Sequence, residues 1–293
     1  MNNHANMVMA MLGATFLLTS CGDPEPVLHP SPDSCLIAQS EARDCDMQPF
    51  HVDEFDLEVL FQEVSDLDLG CEQRCSRVSR TMAFFLLEGL GKLEGFHFVE
   101  SVKGLRFSSM HDLREIDAFH GLTTIEQGIS IYENWGLETI EPFASLEHVG
   151  FAVGFENNYK LKDLRLLANV RQIGEIGGSY EQGLYLSSNK GLKDMTGLES
   201  LERIGGRFRI SYETGLESMR GLESLKEVDT LRINYAVELS SLEGLENLQR
   251  VNEVLSIENS PKLRRCEVEA LVAQLEEPPE RVLLSGLSEA PCD

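Results

Sequence analysis

Short apolar–x–apolar triplets recur along most of this 293-residue chain at intervals close to 24 residues. The triplets are Leu105–Phe107, Ile129–Ile131, Val153–Phe155, Leu184–Leu186, Phe208–Ile210, Leu231–Ile233 and Leu255–Ile257. Each middle residue is polar or small. Because side chains alternate between the two faces of a strand, this pattern predicts strands with the outer members pointing inward and the middle member facing solvent. A fixed period in this range predicts a stacked solenoid.

The segments between the triplets carry a second pattern. In most repeats an aliphatic residue follows the triplet after six positions, and apolar residues then recur at every third position. One such series is Leu192, Met195, Leu198, Leu201 and Ile204. Because this spacing fits neither a strand nor an α-helix, we interpret the segment as an irregular or 3₁₀-like return path.

A single repeat cannot fold alone. Its roughly six aliphatic side chains contribute about 9–18 kcal/mol when buried, whereas ordering about 24 residues costs on the order of 24–48 kcal/mol of backbone entropy. Stacked repeats bury each other's faces and pair their triplets as parallel strands. The chain is therefore predicted to be mainly β, a solenoid of about seven 24-residue turns with one parallel sheet.

The segment Gly197–Gly206, which leads into Phe208, resembles the receptor L domain, the leucine-rich, right-handed β-solenoid of the insulin and epidermal growth factor receptors. That family often has Asn three residues after the triplet. Here Asn134, Asn158 and Asn189 match, whereas Glu213, Ala236 and Ser260 depart from the pattern. The resemblance covers roughly residues 90 to 263. It implies a right-handed solenoid and leaves the ligand open, because such folds bind many partners.

The first twenty residues predict export. They contain no Lys, Arg, Asp or Glu, and the apolar run Val8–Leu18 is too short to span a membrane, so residues 1–20 are predicted to be a signal peptide. Leu18-Thr19-Ser20-Cys21 resembles the bacterial lipobox. That resemblance implies that Cys21 is acylated, with chains such as palmitate, and becomes the first residue of the mature chain. The missing basic segment is a departure. The alternative is an ordinary cleaved signal, with Cys21 free or paired.

Residues 21–34 are rich in Pro and acidic side chains, which predicts an extended, unpacked tether that carries the lipid. Gly22, not Asp, follows Cys21, which resembles the sorting signal for an outer-membrane destination. We therefore expect an exported, membrane-anchored lipoprotein at the outer membrane or cell surface.

Seven cysteines are present, and an even set of six remains once Cys21 is set aside. Such a set in an exported chain predicts disulfides. We expect Cys266 to pair with Cys292 in a C-terminal helical cap of residues 264–293. The apolar face of the cap helix is Val268, Leu271, Val272 and Leu275. The remaining cysteines belong to a predicted N-terminal cap of residues 35–89, with their pairing open: Cys35, Cys45, Cys71 and Cys75. A four-cysteine zinc site is the alternative for these.

The net charge is −24, with 49 acidic and 25 basic side chains. Such a surface disfavours nucleic acid as a partner. A Glu recurs after Leu, for example at Glu199 and Glu217, which indicates either a solvated rim or a surface for cations. The sequence has no glycine-rich phosphate loop, no HExxH and no Gly-x-Ser-x-Gly. We therefore expect no catalysis, no cofactor and no metal.

The middle and flanking positions of the triplets indicate a candidate binding surface. Arg209 and Arg232 occupy the middle positions of neighbouring repeats, and Tyr212 and Tyr235 follow those triplets. One repeat carries a seven-residue insertion within Gly174–Gly183, and insertions in solenoids often lie beside binding sites. The candidate ligand-binding residues are Tyr180, Tyr185, Arg209, Tyr212, Arg232 and Tyr235, because Tyr and Arg anchor recognition surfaces. The alternatives are cross-strand packing and an insertion without function. The role of Trp135 stays open.

Together these patterns predict an exported, lipid-anchored, non-catalytic recognition module that binds a protein or glycan at the cell envelope. A structural scaffold or spacer without a dedicated ligand is the alternative, and an envelope hydrolase is the third hypothesis. A scaffold needs no exposed aromatic patch, whereas a hydrolase needs a concave pocket with perturbed titratable groups.

Overall fold

The computed structural model describes residues 57–58, 77–85, 89–97 and 99–292. They form a β-solenoid of about eight turns that stack their triplets into one parallel sheet. All of these residues fall within the larger of two compact units of the chain. The signal peptide, Cys21, the tether and the four cysteines of the predicted N-terminal cap (Cys35, Cys45, Cys71 and Cys75) lie outside the described residues, so those expectations stay predictions.

Fifteen strands are described, and twelve of them form the main sheet. In chain order they are β1 (Leu57–Glu58), β2 (Arg77–Phe85), β3 (Lys92–Gly95), β4 (Ser101–Ser108), β5 (Glu115–Ala118), β6 (Thr124–Tyr132), β7 (Thr139–Ile140), β8 (His148–Val149), β9 (Ala152–Glu156), β10 (Gln172–Ile173), β11 (Gly183–Ser187), β12 (Arg203–Ser211), β13 (Glu227–Asn234), β14 (Arg250–Arg264) and β15 (Arg281–Ser288). Strands β3, β5 and β7 form a separate three-stranded parallel sheet.

The predicted triplets pair in parallel and in register. Tyr185 lies opposite Gly154 on one side and Arg209 on the other, and Arg209 in turn lies opposite Arg232. The outer members are buried, as predicted from the alternation of side chains. Ser256 is an exception among the middle residues, because only 6% of it is exposed. It lies between Arg232 and Leu283, two longer side chains on the neighbouring strands.

The sheet continues beyond the seven predicted repeats. Strand β2 adds Met82–Phe84 before the first triplet, and β15 adds Val282–Leu284 after the last. The C-terminal cap contains the predicted helix, α1 (Arg265–Gln274), whose Val268 and Leu271 side chains are buried. The expected Cys266–Cys292 disulfide is present. The cap is thus not only helical, because β15 extends the main sheet after α1.

The apolar side chains of the return path are buried in the core, as their spacing of three residues predicts. Leu192, Met195, Leu198, Leu201 and Ile204 are all fully buried. The expected 3₁₀ character is limited to residues 165–167 in the described chain, and most other repeats return through turns. The separate sheet of β3, β5 and β7 also lies on this path and was not predicted.

A buried ladder of Asn side chains links the repeats where the strands end. The Asn158 Nδ2 donates to the Ile131 carbonyl at 2.8 Å and to Asn189 Oδ1 at 3.2 Å, while its own Oδ1 accepts from the Asn134 backbone N–H at 3.1 Å. Asn134 and Asn189 make the equivalent contacts to the carbonyls of Phe107 and Phe155. The ladder therefore supplies partners to buried backbone groups that the turns would otherwise leave unsatisfied.

Glu213 takes the next position of this ladder. Both of its carboxylate oxygens accept from the Asn189 backbone N–H, at 3.0 and 2.8 Å, and Oε1 also accepts from Asn189 Nδ2 at 2.8 Å. The side chain has no solvent exposure. Burial raises the pKa of Glu213 from 4.5 to about 7, and the hydrogen bonds from Asn189 oppose that rise. The departure from the Asn pattern at this position therefore places a titratable group inside the core.

The recurring Glu residues of the return path have structural partners. In three successive repeats a carboxylate accepts from the backbone N–H of the Gly two residues earlier, with distances of 2.9 to 3.1 Å. The pairs are Glu199 with Gly197, Glu223 with Gly221 and Glu246 with Gly244. Each Gly has a φ above 100°, a conformation that side-chain-bearing residues rarely adopt. These three Glu residues therefore hold return turns in addition to contributing to the acidic surface that the sequence indicated.

Ion pairs also join neighbouring repeats on the return path. Lys193 contacts Glu217 at 2.9 Å, Arg220 contacts Glu243 at 2.8 Å, and Glu202 contacts both Arg171 and Lys226. Each such exposed pair adds only about 0–1 kcal/mol. These contacts show that Lys and Arg side chains of the return path pair with Glu from the neighbouring repeat.

Candidate functional site

The outward face of the main sheet carries the central candidate residues on three adjacent strands. Tyr185, Arg209 and Arg232 lie side by side in register on β11, β12 and β13. Adjacent strands lie about 4.8 Å apart, so the three side chains form one continuous strip. Arg209 is exposed and its Nε donates to Ser211 Oγ at 3.0 Å. The structure therefore brings these three predicted residues together.

The inserted loop, residues 174–183, is held in place by a buried carboxylate that the sequence did not indicate. Asp229 Oδ2 accepts from the Gly177 N–H at 2.8 Å and from the Gly206 N–H at 2.7 Å, and Oδ1 accepts from Asn252 Nδ2 at 2.8 Å. A Cβ atom at Gly205 would lie 2.1 Å from the Glu175 carbonyl oxygen, so the loop packs where only glycine leaves room. The insertion is thus an anchored wall beside the strip.

Tyr180 and Tyr185 connect this loop to the sheet. The Tyr185 hydroxyl donates toward the carbonyls of Tyr180 and Gln182, at 3.0 and 2.8 Å. Tyr180 is 56% exposed, and the Arg207 guanidinium carbon lies 4.9 Å from its ring centroid, a cation–π contact. Burial raises the pKa of Tyr185, and the charges of Arg207 and Arg209 partly offset that rise. Both guanidinium groups therefore lie close to this phenol.

Tyr212 and Tyr235 form the opposite side of the strip. Their rings stack with centroids 5.0 Å apart and planes 6° from parallel, and they are 51% and 41% exposed. Both residues have φ values near +57°, in the left-handed region. This conformation recurs in the repeats immediately after the strands, for example at Ser109 and Ser188, so the architecture requires it. Bulky side chains are uncommon there, and Asn or Gly fits it at lower energy.

Three arginines on this face have no counter-charge. Within the described residues, Arg207, Arg209 and Arg232 have no carboxylate within 4.0 Å, although the basic side chains of the return path pair with Glu from the neighbouring repeat. In addition, the buried Nε atoms of Arg207 and Arg232 lack a hydrogen-bond partner. A buried donor without a partner costs about 1–3 kcal/mol. The strip is therefore a concentration of unneutralised positive charge on a chain of net charge −24.

A second exposed aromatic row lies along the same end of the strands, over earlier repeats. His111 stacks on Trp135 with centroids 4.1 Å apart, Trp135 lies 6.4 Å from Tyr159, and the Lys190 ammonium lies 5.0 Å from the Tyr159 ring. Trp135, whose role the sequence did not decide, thus packs between His111 and Tyr159 and is still 46% exposed. The described chain therefore has a second exposed aromatic surface, outside the strip and without its arginines.

Two titratable groups of interest lie away from the strip, one at a concavity of the return path and one in the core. One open concavity of about 350 Å³ on the return path is lined by Glu202, Glu223, Ser224, Lys226, Asn247 and Gln249. A hydrogen bond from Lys226 lowers the pKa of Glu202, which keeps that carboxylate ionised at neutral pH. The carboxyl group with the raised pKa, Glu213, is sealed inside the Asn ladder. No group of three or more His, Cys, Asp or Glu side chains is placed to hold a metal within the described residues.

Two residues beside the strip, Arg207 and Asp229, were not among the predicted site residues. Arg207 lies two residues before Arg209 on β12, so it shares the outward face, but it lies outside the triplet Phe208–Ile210. Asp229 precedes the triplet of its repeat and contacts a loop 52 residues away in sequence. Reading the alternation outward from each triplet would have found Arg207, whereas no local signal identifies Asp229.

None of the helices in the described part of the chain is long and apolar enough to cross a membrane. No protein-family model matches the chain, and no curated protein or solved structure matches it significantly. The resemblance to the receptor L domain therefore stays a prediction.

Proposed function

We propose that this protein is an exported, lipid-anchored recognition module that binds a glycan or protein at the cell envelope and does no covalent chemistry. The observation that carries the proposal is the strip formed by Tyr185, Arg209 and Arg232, with the stacked pair Tyr212–Tyr235 on one side and the Tyr180 loop on the other. Rigid aromatic and guanidinium groups on a preorganised scaffold are typical of recognition surfaces.

The exposed aromatics support recognition over a purely structural role. A spacer needs no partly exposed Tyr pair, and placing Tyr in the left-handed region at two successive repeats has an energetic cost. Ser109 and Ser188 occupy the equivalent position elsewhere, so the fold accepts a small polar side chain there. The backbone conformation at positions 212 and 235 therefore does not itself require Tyr, although the two rings also stack across the neighbouring strands.

Replacing Tyr212 and Tyr235 together with alanine is expected to weaken ligand binding by roughly 30-fold or more, since each anchor contributes about 1–2 kcal/mol. The assay is a screen of glycans and envelope proteins in which wild type and the double variant are compared side by side. Circular dichroism verifies that both are folded, which we expect because both side chains are exposed.

Tyr159→Ala is the matched control for that variant. It removes an exposed Tyr of the second aromatic row, from a repeat outside the strip, and we expect binding within about twofold of wild type. Equal binding by wild type and the Tyr212/Tyr235 variant would move the site elsewhere. Loss of binding in Tyr159→Ala alone would assign recognition to the second row.

The lipid anchor is part of the proposal and has its own prediction. We expect Cys21→Ser to release the protein from membranes on fractionation, because the Cys21 thiol is the predicted point of attachment of the lipid. One chain holds a protein only marginally, so stable anchoring requires the two or three chains of a lipoprotein. Membrane association that is unchanged in Cys21→Ser would contradict the anchor while leaving the binding strip unaffected.

A further inference from the structure

We propose that the cluster of Arg207, Arg209 and Arg232 binds the anionic group of an acidic sugar, a carboxylate or sulfate carried on an otherwise uncharged glycan. This inference rests on the proposed recognition function and names the class of ligand. The geometry that carries it is the placement of three arginines at neighbouring positions of the outward face: Arg207 and Arg209 share one face of β12, and Arg209 lies opposite Arg232 on β13.

The absence of counter-charges in this cluster is not explained by a shortage of acid. The chain has 49 acidic side chains, and on the return path Lys and Arg pair with Glu from the next repeat at distances of about 2.7 to 3.1 Å. In the described chain no carboxylate takes that place beside Arg207, Arg209 or Arg232. Three adjacent positive charges repel one another, and an incoming anion relieves that repulsion.

The hydrogen-bonding state of the cluster indicates the same ligand. The Nε atoms of Arg207 and Arg232 are covered and have no acceptor, and Arg209 Nε is bound to Ser211 Oγ. An oxyanion accepts two parallel N–H bonds from a guanidinium group, so rotation of these side chains toward it satisfies Nε and Nη together. Carboxylate and sulfate both provide the required pair of oxygens.

The charge of the whole protein limits the size of the anion. A polyanion would meet the repulsion of a net charge of −24, whereas a single anionic group within a few ångströms of the arginines gains their attraction locally. An acidic peptide or a nucleic acid is therefore disfavoured, and a neutral ligand with one charged substituent is favoured.

The surroundings of the cluster suit a sugar ring. The Tyr180 ring and the stacked Tyr212–Tyr235 pair supply exposed aromatic surface on either side, and Ser187 supplies a hydroxyl between Glu156 and Ser211 on the neighbouring strands. Sugar rings combine apolar C–H faces with hydroxyl groups, which match aromatic and polar surfaces respectively. The anionic substituent would then fix the orientation of the ring.

The test is titration calorimetry of the full mature protein with a trisaccharide that ends in glucuronate, its sulfated-glucose analogue and its neutral glucose analogue. We expect both acidic probes to bind at least about tenfold more tightly than the neutral one, the effect of one charge-assisted contact. The Arg209→Gln/Arg232→Gln variant should lose this preference, and Arg209→Lys should retain part of it, because it keeps the charge and loses the paired donors.

The control variant is Lys160→Gln/Arg203→Gln, which removes two exposed positive charges outside the cluster and should keep the preference for acidic probes. Competition by inorganic sulfate against the glucuronate probe, measured on wild type, gives a second readout that needs no variant to fold. Equal binding of acidic and neutral probes, with no sulfate competition, would overturn the acidic-sugar assignment and leave the recognition function standing. Failure of wild type to bind any glycan or envelope protein would instead overturn the recognition function. An acidic peptide is titrated under the same conditions, and tight binding of this peptide without binding of any sugar probe would also overturn the sugar class.

Discussion

Replacing Asn158 with alanine is expected to lower the free energy of unfolding by about 3–5 kcal/mol, because it removes the central member of the buried ladder. The variant would leave the Ile131 carbonyl, the Asn134 N–H and the Asn189 Oδ1 short of partners inside the core. Each stranded polar group costs about 1–3 kcal/mol when water cannot reach it. Chemical unfolding followed by the fluorescence of Trp135, the single Trp, measures the loss.

Asn157→Ser is the control for that experiment. Asn157 is adjacent in sequence, is partly exposed and has a φ of 58°, the conformation that Ser109 and Ser188 adopt in their own repeats. We expect a change of about 0.5 kcal/mol or less. If Asn158→Ala were as mild as Asn157→Ser, the ladder would not be a main source of cohesion between repeats.

Glu213→Gln is expected to stabilise the protein at pH 8 by about 3 kcal/mol and to flatten its dependence on pH. In the folded chain the pKa of Glu213 is raised to about 7, compared with 4.5 for the ordinary carboxyl group. Gln is neutral at every pH and keeps an oxygen that can accept from Asn189, so it removes the cost of a buried charge.

The direction of the pH dependence follows from the proton count. Between pH 4.5 and about 7 the folded state retains the Glu213 proton while the unfolded state has lost it. Stability therefore falls as pH rises through this window and becomes level above about pH 7. Wild type should lose stability relative to Glu213→Gln across the window, and the two should converge near its lower end.

Glu217→Gln provides the comparison for Glu213→Gln. Glu217 is exposed and pairs with Lys193 at 2.9 Å, so its substitution should change stability by less than about 1 kcal/mol and leave the slope intact. Unfolding midpoints at several pH values between 4 and 9 give the comparison. A pH dependence in Glu213→Gln that matches wild type would show that Glu213 titrates normally in the folded protein.

Most of the architecture follows from the sequence because the repeat is regular. The triplets indicate both the positions of the strands and the residues that face inward, so the register from Leu105 to Ile257 is predicted correctly. The period of three on the return path likewise identifies the buried residues. The Cys266–Cys292 disulfide was predicted because those two cysteines alone lie beyond the last triplet.

The ends of the sheet were not predicted, because there the period is broken. Strand β15 pairs with β14 only after the chain has formed helix α1, so Val282 lies 27 residues after its partner Leu255 and outside the regular spacing. Strand β2 does match the period, but it lies within the segment assigned to the cysteine-containing cap. The spacing of the triplets therefore no longer predicts strand pairing where a helix or a cap segment interrupts the stack of repeats.

The candidate site was predicted only in part, because only some of its residues follow the regular spacing of the repeats. Residues on the repeat register, such as Tyr185 and Arg232, could be aligned by counting, whereas contacts across the inserted loop could not. Asp229 binds Gly177 through an interaction that only the folded loop creates. Glu213 stood out as a departure from the Asn pattern, but its burial and raised pKa depend on the neighbouring repeats.

The most direct test of the recognition surface is an amide hydrogen-exchange footprint of the mature protein, with and without the tightest-binding glycan or protein from the screen. We expect the ligand to slow exchange in residues 180–187, 207–213 and 230–235, which contain the strip and its two sides. The return path around Leu192–Leu201, which lies outside the strip, should be unaffected. Protection confined to the return path or to the second aromatic row, with exchange across the strip unchanged, would contradict binding at the strip.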